Sequence, residues 1–241
     1  MKKYGAVVIC GVVMAAGVLA DQMAVHIKDG REERVEKGLV AHYPFDGDAA
    51  DVSGHGYDGQ VFRATPTEDG SGKPQAAYLF DGKTSCVSLP AAVLNNLQSG
   101  SFLVLIRMDS YTQKPSVPIV SKGTSDLCDF MIAVNEDGSC VAHMGTSLYL
   151  TSPKAAIPLG QWIAVALTWD GARWQMYING ALSASAQTDA IPHADADNAV
   201  KMGRHDHASG PFFFSGAMND VRVYDRALRP EEIRTVQHCA P

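Results

Sequence analysis

The sequence predicts an all-β protein, a sandwich of two antiparallel sheets that ends in one short helix. From Trp162 to Trp169 large apolar residues occupy every second position, which is the period of a strand with one buried face. Asp170-Gly171 turns the chain, residues 173–178 alternate in the same way, and Asn179-Gly180 supplies the positive φ angles of a tight hairpin. Only Pro230–His238 is predicted to be helical, because a proline followed by two glutamates suits a helix N-terminus.

The remaining elements follow from apolar runs that are separated by turn residues. From Gly38 onward strands dominate, and Ser101–Met108 is almost continuously apolar, as in a strand that is buried on both faces. Residues 135–138 are predicted to join the strands Phe130–Val134 and Ser139–Met144 in a hairpin. One domain is expected, because an all-β core commonly spans about 200–250 residues.

Five stretches of the chain follow one another in an order that is typical of one family. They are Gly38–Asp48, Tyr78–Gly82, Ile119–Gly123, Leu159–Leu182, which reads LGQWIAVALTWDGARWQMYINGAL, and Phe214–Leu228. They resemble the bacterial laminin-G-like domains of the concanavalin A-like lectin and glucanase superfamily. The resemblance spans roughly Gly38 to His238 and implies a jelly-roll sandwich. It leaves the activity open, because this superfamily includes sugar binders, adhesion modules and enzymes.

The N-terminal segment predicts export. Residues 1–20 begin with two lysines after Met1, continue without a charge and end in small residues, which is the pattern of a cleaved signal peptide. An uncleaved anchor and, through Cys10, a lipoprotein are the alternatives. Residues 21–37 are predicted to form a polar linker and residues 38–241 the laminin-G-like domain. The protein is therefore expected to be secreted, periplasmic or on the cell surface, with no membrane insertion once the signal is removed.

The charge balance argues against two classes of partner. The 241 residues include 20 basic and 26 acidic side chains, which gives a net charge of −6. Removing residues 1–20, with their two lysines, would leave −8. Neither nucleic acid nor an anionic membrane is therefore expected to bind. The expected partner is a glycan or a cell-surface protein.

Four cysteines remain after residue 20, and an even number in an exported chain predicts two disulfides. They are Cys86, Cys128, Cys140 and Cys239. The predicted hairpin argues against pairing Cys128 with Cys140, because Cys140 would face a position near residue 133. We favour a bridge between Cys86 and Cys239, with free thiols as the alternative.

The acidic loop, residues 46–58, is the best candidate for a bound ion. Its four aspartates repel one another unless a cation separates them, and calcium prefers oxygen ligands of this kind. The family resemblance adds an aspartate of the closing strand, where calcium tends to lie when it is present. The predicted metal ligands are Asp46, Asp48, Asp51, Asp58 and Asp220. Asn219 stands where the family often has a further aspartate, and a solvated acidic turn is the alternative.

Histidines and aromatic residues give weaker signals. His205-Asp206-His207, with His55 and His193, offers metal ligands, but no spacing fixes a zinc site. Phe212–Phe214 could be a sugar-stacking platform, although such a run more often belongs to a core. Exposed aromatic rings at loop tips would favour sugar binding, and the scattered candidates are Tyr57, Tyr111 and Tyr149.

No catalytic residues are predicted. Glycoside hydrolysis needs two carboxyl groups about 5–9.5 Å apart, but no predicted strand presents a pair of them, and no GxSxG nucleophile motif occurs. The glutamates lie in the linker, in turns or in the helix, at Glu32, Glu33, Glu36, Glu68, Glu136, Glu231 and Glu232. We therefore expect a non-catalytic glycan-binding module with a structural calcium. The alternatives are a cell-surface adhesion or protein-interaction module and, more remotely, a glycoside hydrolase or polysaccharide lyase.

Overall fold

A computed structural model describes residues 36–95, 97–111, 116–123, 129–144, 148–192 and 198–239, with only the backbone at residues 237–239. Gly38–Pro241 forms one compact unit. The predicted signal peptide and nearly all of the predicted linker lie outside the described residues, as do Cys10, Cys128 and His193. In the described part of the chain, no helix has both the length and the apolar composition that crossing a membrane requires.

The described residues include seventeen strands, a 3₁₀ turn at Ala91–Leu94 and the C-terminal α-helix. In chain order the strands are β1 (Leu39–Tyr43), β2 (Gln60–Phe62), β3 (Thr65–Thr67), β4 (Ala77–Asp81), β5 (Cys86–Leu89), β6 (Gly100–Met108), β7 (Ser116–Lys122), β8 (Phe130–Asn135), β9 (Cys140–Met144), β10 (Leu148–Thr151), β11 (Trp162–Trp169), β12 (Arg173–Ile178), β13 (Ala181–Gln187), β14 (Val200–Met202), β15 (Arg204–His205), β16 (Phe212–Phe213) and β17 (Ser215–Tyr224), and the helix is α1 (Pro230–Cys239). Two large antiparallel sheets and one short helix confirm the predicted all-β jelly-roll sandwich.

The first sheet has eight strands in the order β13-β12-β11-β6-β17-β4-β3, with β1 beside β17. The predicted meander is confirmed, because β11 pairs with β12 up to the Trp169–Trp174 pair and β12 pairs with β13. Its hairpin turn has positive φ at Asn179 (48°) and Gly180 (72°). Strand β6 lies between β11 and β17 and is buried over most of its length, as its apolar run predicts.

Two of the three tryptophans stack in the core between the sheets. The rings of Trp169 and Trp174 lie 4.9 Å apart on adjacent strands, and both side chains are almost fully buried. The other inward residues predicted for β11 are at most 5% exposed. Trp162 lies at the opposite end of the strand, where the guanidinium group of Arg107 is 5.8 Å from its ring centre.

The second sheet has seven strands in the order β10-β9-β8-β7-β14-β5-β2. Side chains such as Val87, Val120 and Ile132 belong to the core, and successive residues of a strand point to opposite faces. The outer face therefore carries a row of residues in register: Gln60, Ser88, Lys201, Ser121, Met131, His143 and Tyr149. The β15–β16 hairpin is attached to β7, because the Ser121 hydroxyl donates to the Arg204 carbonyl at 2.8 Å.

Helix α1 lies close to β12 of the first sheet. Burial raises the pKa of Tyr177 on β12, and the charges of Arg234 and Glu231 on the helix also act on it. At the start of the helix, Glu232 accepts hydrogen bonds from the Arg229 amide at 2.9 Å and from Arg226 at 3.0 Å. Although burial opposes its ionisation, these bonds lower the pKa of Glu232 to about 2.

Both cysteines whose side chains the structure describes are buried and free, so the favoured bridge between Cys86 and Cys239 is not formed. Cys86 lies opposite Phe62 in the β2–β5 ladder. Cys140 lies opposite Val134 in the β8–β9 hairpin, and burial raises the pKa of its thiol to about 12. The side chains of Cys128 and Cys239 lie outside the described residues.

Candidate ligand-binding site

The acidic loop is organised around one carboxylate. Asp51 Oδ1 accepts from the amides of His42 and Ser53, and Oδ2 accepts from the Ser53 hydroxyl and the Tyr57 amide, at 2.9–3.0 Å. Burial opposes ionisation of Asp51, but these four hydrogen bonds outweigh burial and lower its pKa. Asp51 therefore ties the loop to β1 through protein donors.

Asp220 lies in a bulge of β17, where its backbone has a left-handed φ of 47°. Its Oδ1 atom is 2.7 Å from His42 Nε2 and 2.9 Å from Arg222 Nε. The Asp220 side chain is only 7% exposed, and burial alone would raise its pKa. The hydrogen bonds and charges of His42 and Arg222 lower the pKa instead. Both Asp51 and Asp220 thus bind to His42.

The other three predicted ligands are exposed. Both oxygens of Asp46 are 2.7 Å from Lys73 Nζ, Asp48 accepts from the Ala50 amide, and Asp58 accepts from the Asp51 amide. Within the described residues, no group of three or more His, Cys, Asp or Glu side chains has an arrangement that could hold a metal ion. Protein donors contact both oxygens of Asp51, both oxygens of Asp46 and the Oδ1 atom of Asp220, so a calcium ion would compete with them. Calcium binding at Asp46, Asp48, Asp51, Asp58 and Asp220 stays a prediction.

A cavity of about 530 Å³ opens on the outer face of the second sheet. Its residues come from β2, β5, β14, β15, β16 and the turns that follow β2 and β4. Four are basic, two are phenylalanines and three are small with polar atoms: Arg63, Lys83, Lys201 and Arg204; Phe62 and Phe213; Thr84, Cys86 and Ser88. This cavity combines apolar rings with convergent polar groups, which is typical of small-molecule sites.

Two of the basic residues share one carboxylate. Asp206 binds Lys201 through Oδ2 and Arg204 Nε through Oδ1, the latter at 2.7 Å. Burial opposes ionisation of Asp206, but both cations lower its pKa. Gly203, with φ of 75°, turns the chain between the two cations, and a Cβ there would lie 2.5 Å from the Phe80 ring. The turn therefore requires glycine.

The two phenylalanines differ in exposure. Phe62 is 47% exposed at the edge strand β2, so its ring is available to a ligand. Phe213 is 9% exposed and lies 5.5 Å from the Arg204 guanidinium group, a cation–π distance. The two interpretations of Phe212–Phe214 therefore each hold for one residue. Phe214 is buried in the core, and Phe213 lines the cavity.

A second aromatic feature lies further along the same face. The Tyr149 ring is 73% exposed and stacks on His143 at 5.2 Å with an angle of 8° between the rings. Burial and the nearby His205 lower the pKa of His143 to about 4, so the imidazole is neutral near pH 7. Of the three tyrosines suggested by the sequence, Tyr57 and Tyr111 are only partly exposed and pack against the core.

Sequence reasoning predicted a site at the acidic loop, which stays a prediction, and named Tyr149, but it missed the cavity. The sequence His205-Asp206-His207 was considered as a source of metal ligands. Its segment does lie beside the cavity, but through Asp206, which binds the basic residues Lys201 and Arg204. His205 is buried, and His207 contacts Ser209 and the Phe212 ring. No single stretch of sequence contains more than two of the cavity's basic residues, so no motif could have revealed it.

Comparisons with known proteins bear on the fold. The family model Laminin_G_3, described as the concanavalin A-like lectin/glucanases superfamily, matches residues 81–234, which is more than half of the chain. No curated protein sequence matches the chain. Among solved structures, domain 4 of AbnA, a GH43 extracellular arabinanase from Geobacillus stearothermophilus, is similar with 23% identity and a TM-score of 0.65. That similarity covers 82% of this chain and 97% of the arabinanase domain.

Two further structures share the fold at lower identity. The receptor-binding domain of the botulinum neurotoxin C/D mosaic serotype has 11% identity and a TM-score of 0.65, covering 84% of this chain and 51% of that one. Trypanosoma rangeli sialidase has 17% identity and a TM-score of 0.64, covering 84% of this chain and 33% of that one. The chain therefore spans about half of the neurotoxin domain and a third of the sialidase.

Proposed function

Because this chain belongs to the concanavalin A-like lectin/glucanase superfamily, we propose that it is a non-catalytic, extracytoplasmic module that binds a glycan in the outer-face cavity. The main support is the composition of this cavity of about 530 Å³, in which Phe62 and Phe213 lie beside hydroxyl and cationic side chains. A sugar has apolar ring faces and a polar edge of hydroxyl groups. Rings that stack on the face and donors that meet the edge are the groups that recognise it.

Similar folds support a carbohydrate ligand. The arabinanase domain was solved in complex with arabinotriose, and a botulinum neurotoxin DC binding domain was solved in complex with SialylT. The second structure has 12% identity to this chain and a TM-score of 0.62. The match covers 97% of the arabinanase domain and 52% of the neurotoxin domain, so the arabinanase domain is the stronger support for an oligosaccharide ligand of this fold.

The composition of the cavity supports a non-catalytic role. Glycosidases act through two carboxyl groups on either side of the scissile bond. Among the described residues that line the cavity, no aspartate or glutamate occurs. Two carboxylates contact residues that line the cavity. Asp206 is engaged with Lys201 and Arg204, and Asp81 accepts hydrogen bonds from the amides of Lys83 and Thr84 and from the Thr84 hydroxyl.

The exposed ring of Phe62 gives the first test. We expect Phe62→Ala to weaken binding of the oligosaccharide that gives the strongest signal on a glycan array about fivefold to tenfold, because an aromatic stacking contact is worth about 1 kcal/mol. The measurement is isothermal titration calorimetry of the wild type and the variant.

Leu182→Ala is the matched control, since Leu182 is 55% exposed and lies on β13 of the other sheet. It should bind as the wild type does. A protein that binds no glycan on the array but captures a cell-surface protein would contradict the proposal and favour the adhesion module. Release of reducing sugar from a bound glycan would contradict the non-catalytic role.

Calcium at the acidic loop is a separate part of the proposal, with Asp46, Asp48, Asp51, Asp58 and Asp220 as its ligands. At a hundredfold excess over its dissociation constant, a bound ion adds about 2.7 kcal/mol to the free energy of unfolding. We therefore expect millimolar calcium to raise the melting temperature by several degrees over a sample with chelator. The double variant Asp48→Asn/Asp58→Asn keeps the acceptors for the Ala50 and Asp51 amides and should abolish the difference. Superimposed wild-type curves would show that hydrogen bonds alone hold the loop.

A further inference from the structure

We propose that the ligand of this cavity carries an anionic group, a carboxylate or a sulfate, which the basic side chains of the cavity bind. This inference rests on the proposed glycan-binding function and names the class of glycan. Four of the residues that line the cavity are basic, namely Arg63, Lys83, Lys201 and Arg204. The chain as a whole has a net charge of −6, so the cavity has the opposite sign to the rest of the molecule.

The arrangement of these charges leaves a surplus of positive charge. Asp206 contributes one negative charge to Lys201 and Arg204 together. Within the described residues, the side chains of Arg63 and Lys83 have no ion-pair partner. Asp81 also lies beside the cavity, where it accepts hydrogen bonds from the Lys83 amide and the Thr84 hydroxyl. Four cations and these two carboxylates therefore leave about two uncompensated charges around one concave surface. A concave site with charges of one sign concentrates its field on the ligand.

Asp206 also holds two of the cations in place. Its two oxygens bind Lys201 and Arg204, and the Arg204 guanidinium group lies over the Phe213 ring at 5.5 Å. Both side chains are therefore ordered before a ligand arrives. A preorganised cation loses less conformational entropy on binding an anion than a free surface lysine does.

Arg63 has an unusual backbone conformation for a residue other than glycine. Arg63 follows β2 and has a left-handed φ of 56°, a conformation that disfavours every side chain with a Cβ except in special settings. Glycine would adopt this turn without strain. The chain instead has an arginine there, and its side chain lines the cavity. Strain of this kind concentrates at binding sites.

The aromatic walls favour an anionic sugar over a simple inorganic ion. Phe62 adds an exposed ring on which a pyranose can stack, Phe213 adds apolar surface beneath the Arg204 guanidinium group, and a volume of about 530 Å³ exceeds that of a single carboxylate or sulfate group. A uronic acid or a sulfated sugar can contact both the phenylalanine rings, through its sugar ring, and the basic side chains, through its anionic group. Both present a carboxylate or sulfate at the edge of a sugar ring.

The test compares three galactose-based probes by isothermal titration calorimetry on the intact protein. Trigalacturonate carries carboxylates, a κ-carrageenan oligosaccharide carries sulfates, and galactotriose is neutral. We expect one of the two anionic probes to bind at least about tenfold more tightly than galactotriose at low salt, with an affinity that falls as the ionic strength rises. The preferred probe identifies the anionic group.

The double variant Arg63→Gln/Lys83→Gln should weaken that binding about tenfold, because it removes two charge-assisted contacts. Both side chains are exposed, so the fold tolerates the change. Arg173→Gln/Lys154→Gln removes the same two charges from residues that do not line the cavity and should bind as the wild type does.

Two results would overturn the inference while leaving the proposed function intact. One is binding of galactotriose as tightly as the anionic probes, and the other is an equal loss in the two double variants. Binding of single-stranded DNA as tightly as the best anionic probe, with the same loss in Arg63→Gln/Lys83→Gln, would contradict a glycan ligand. Absence of binding to all glycans on the array would overturn the proposed function and the inference together.

Discussion

Replacing Asp220 by alanine is expected to lower the free energy of unfolding by about 3 kcal/mol or more. The change leaves the Arg222 guanidinium group, whose side chain is 15% exposed, without its carboxylate partner, and removing one member of a buried ion pair costs about 3–5 kcal/mol. It also removes the bond to His42, which links β17 to β1. The backbone amide of His42 donates to Asp51, so this bond also supports the acidic loop. Urea unfolding with linear extrapolation measures the difference.

Asp220→Asn is the matched control. Asparagine tolerates the left-handed φ of 47° and keeps one acceptor for His42 or Arg222, so the loss should be smaller than with alanine. Because the pKa of Asp220 is lowered in the folded protein, its contribution is present at neutral pH and is lost as the pH falls from about 4 through the folded pKa. Equal stability of the wild type and Asp220→Ala at pH 7 would contradict this account.

Replacing Trp169 by alanine is expected to lower the free energy of unfolding by about 4 kcal/mol. The residue is fully buried, stacks on Trp174 and lies 5.9 Å from the Phe130 ring, so truncation leaves a large cavity between the sheets. It also leaves the Leu97 carbonyl without the indole N–H that donates to it at 2.9 Å. The same urea experiment measures this change.

Trp162→Ala is the control on the same strand. Trp162 is partly exposed and contacts Arg107 and Gly70 at the end of β11, so we expect a loss of about 1 kcal/mol. Comparable losses in the two variants would show that the stacked pair does not dominate the core.

The fold could be predicted because its signals are local. The alternation in β11, the Asn179-Gly180 turn and the proline at the start of α1 each specify an element within a few residues. The disulfide prediction failed at Cys86. It rested on the expected export of the protein and on the even number of cysteines, and neither shows which cysteines lie close enough to bond. Cys86 lies in the second sheet beside Arg204 and Lys201, and burial raises its pKa although both cations oppose that effect.

The site could be predicted only in part because its contacts are distant in sequence. The Asp220 side chain binds His42, which lies 178 positions away in the sequence. The cavity joins residues 62–63 to residues 83–88 and 201–213, and nothing in any one of these stretches marks it as part of a binding site. Tyr149 was predicted as a candidate exposed ring at a loop tip, and it is exposed but lies within strand β10.

Chemical-shift mapping tests most directly whether a glycan binds in the outer-face cavity. The oligosaccharide with the strongest array signal is titrated into ¹⁵N-labelled protein, and backbone amide shifts are followed. We predict the largest changes at Phe62, Lys83, Ser88 and Lys201, with small changes in residues 46–58. Saturable binding whose largest shifts fall in the acidic loop, with none around Lys201, would contradict binding in the cavity.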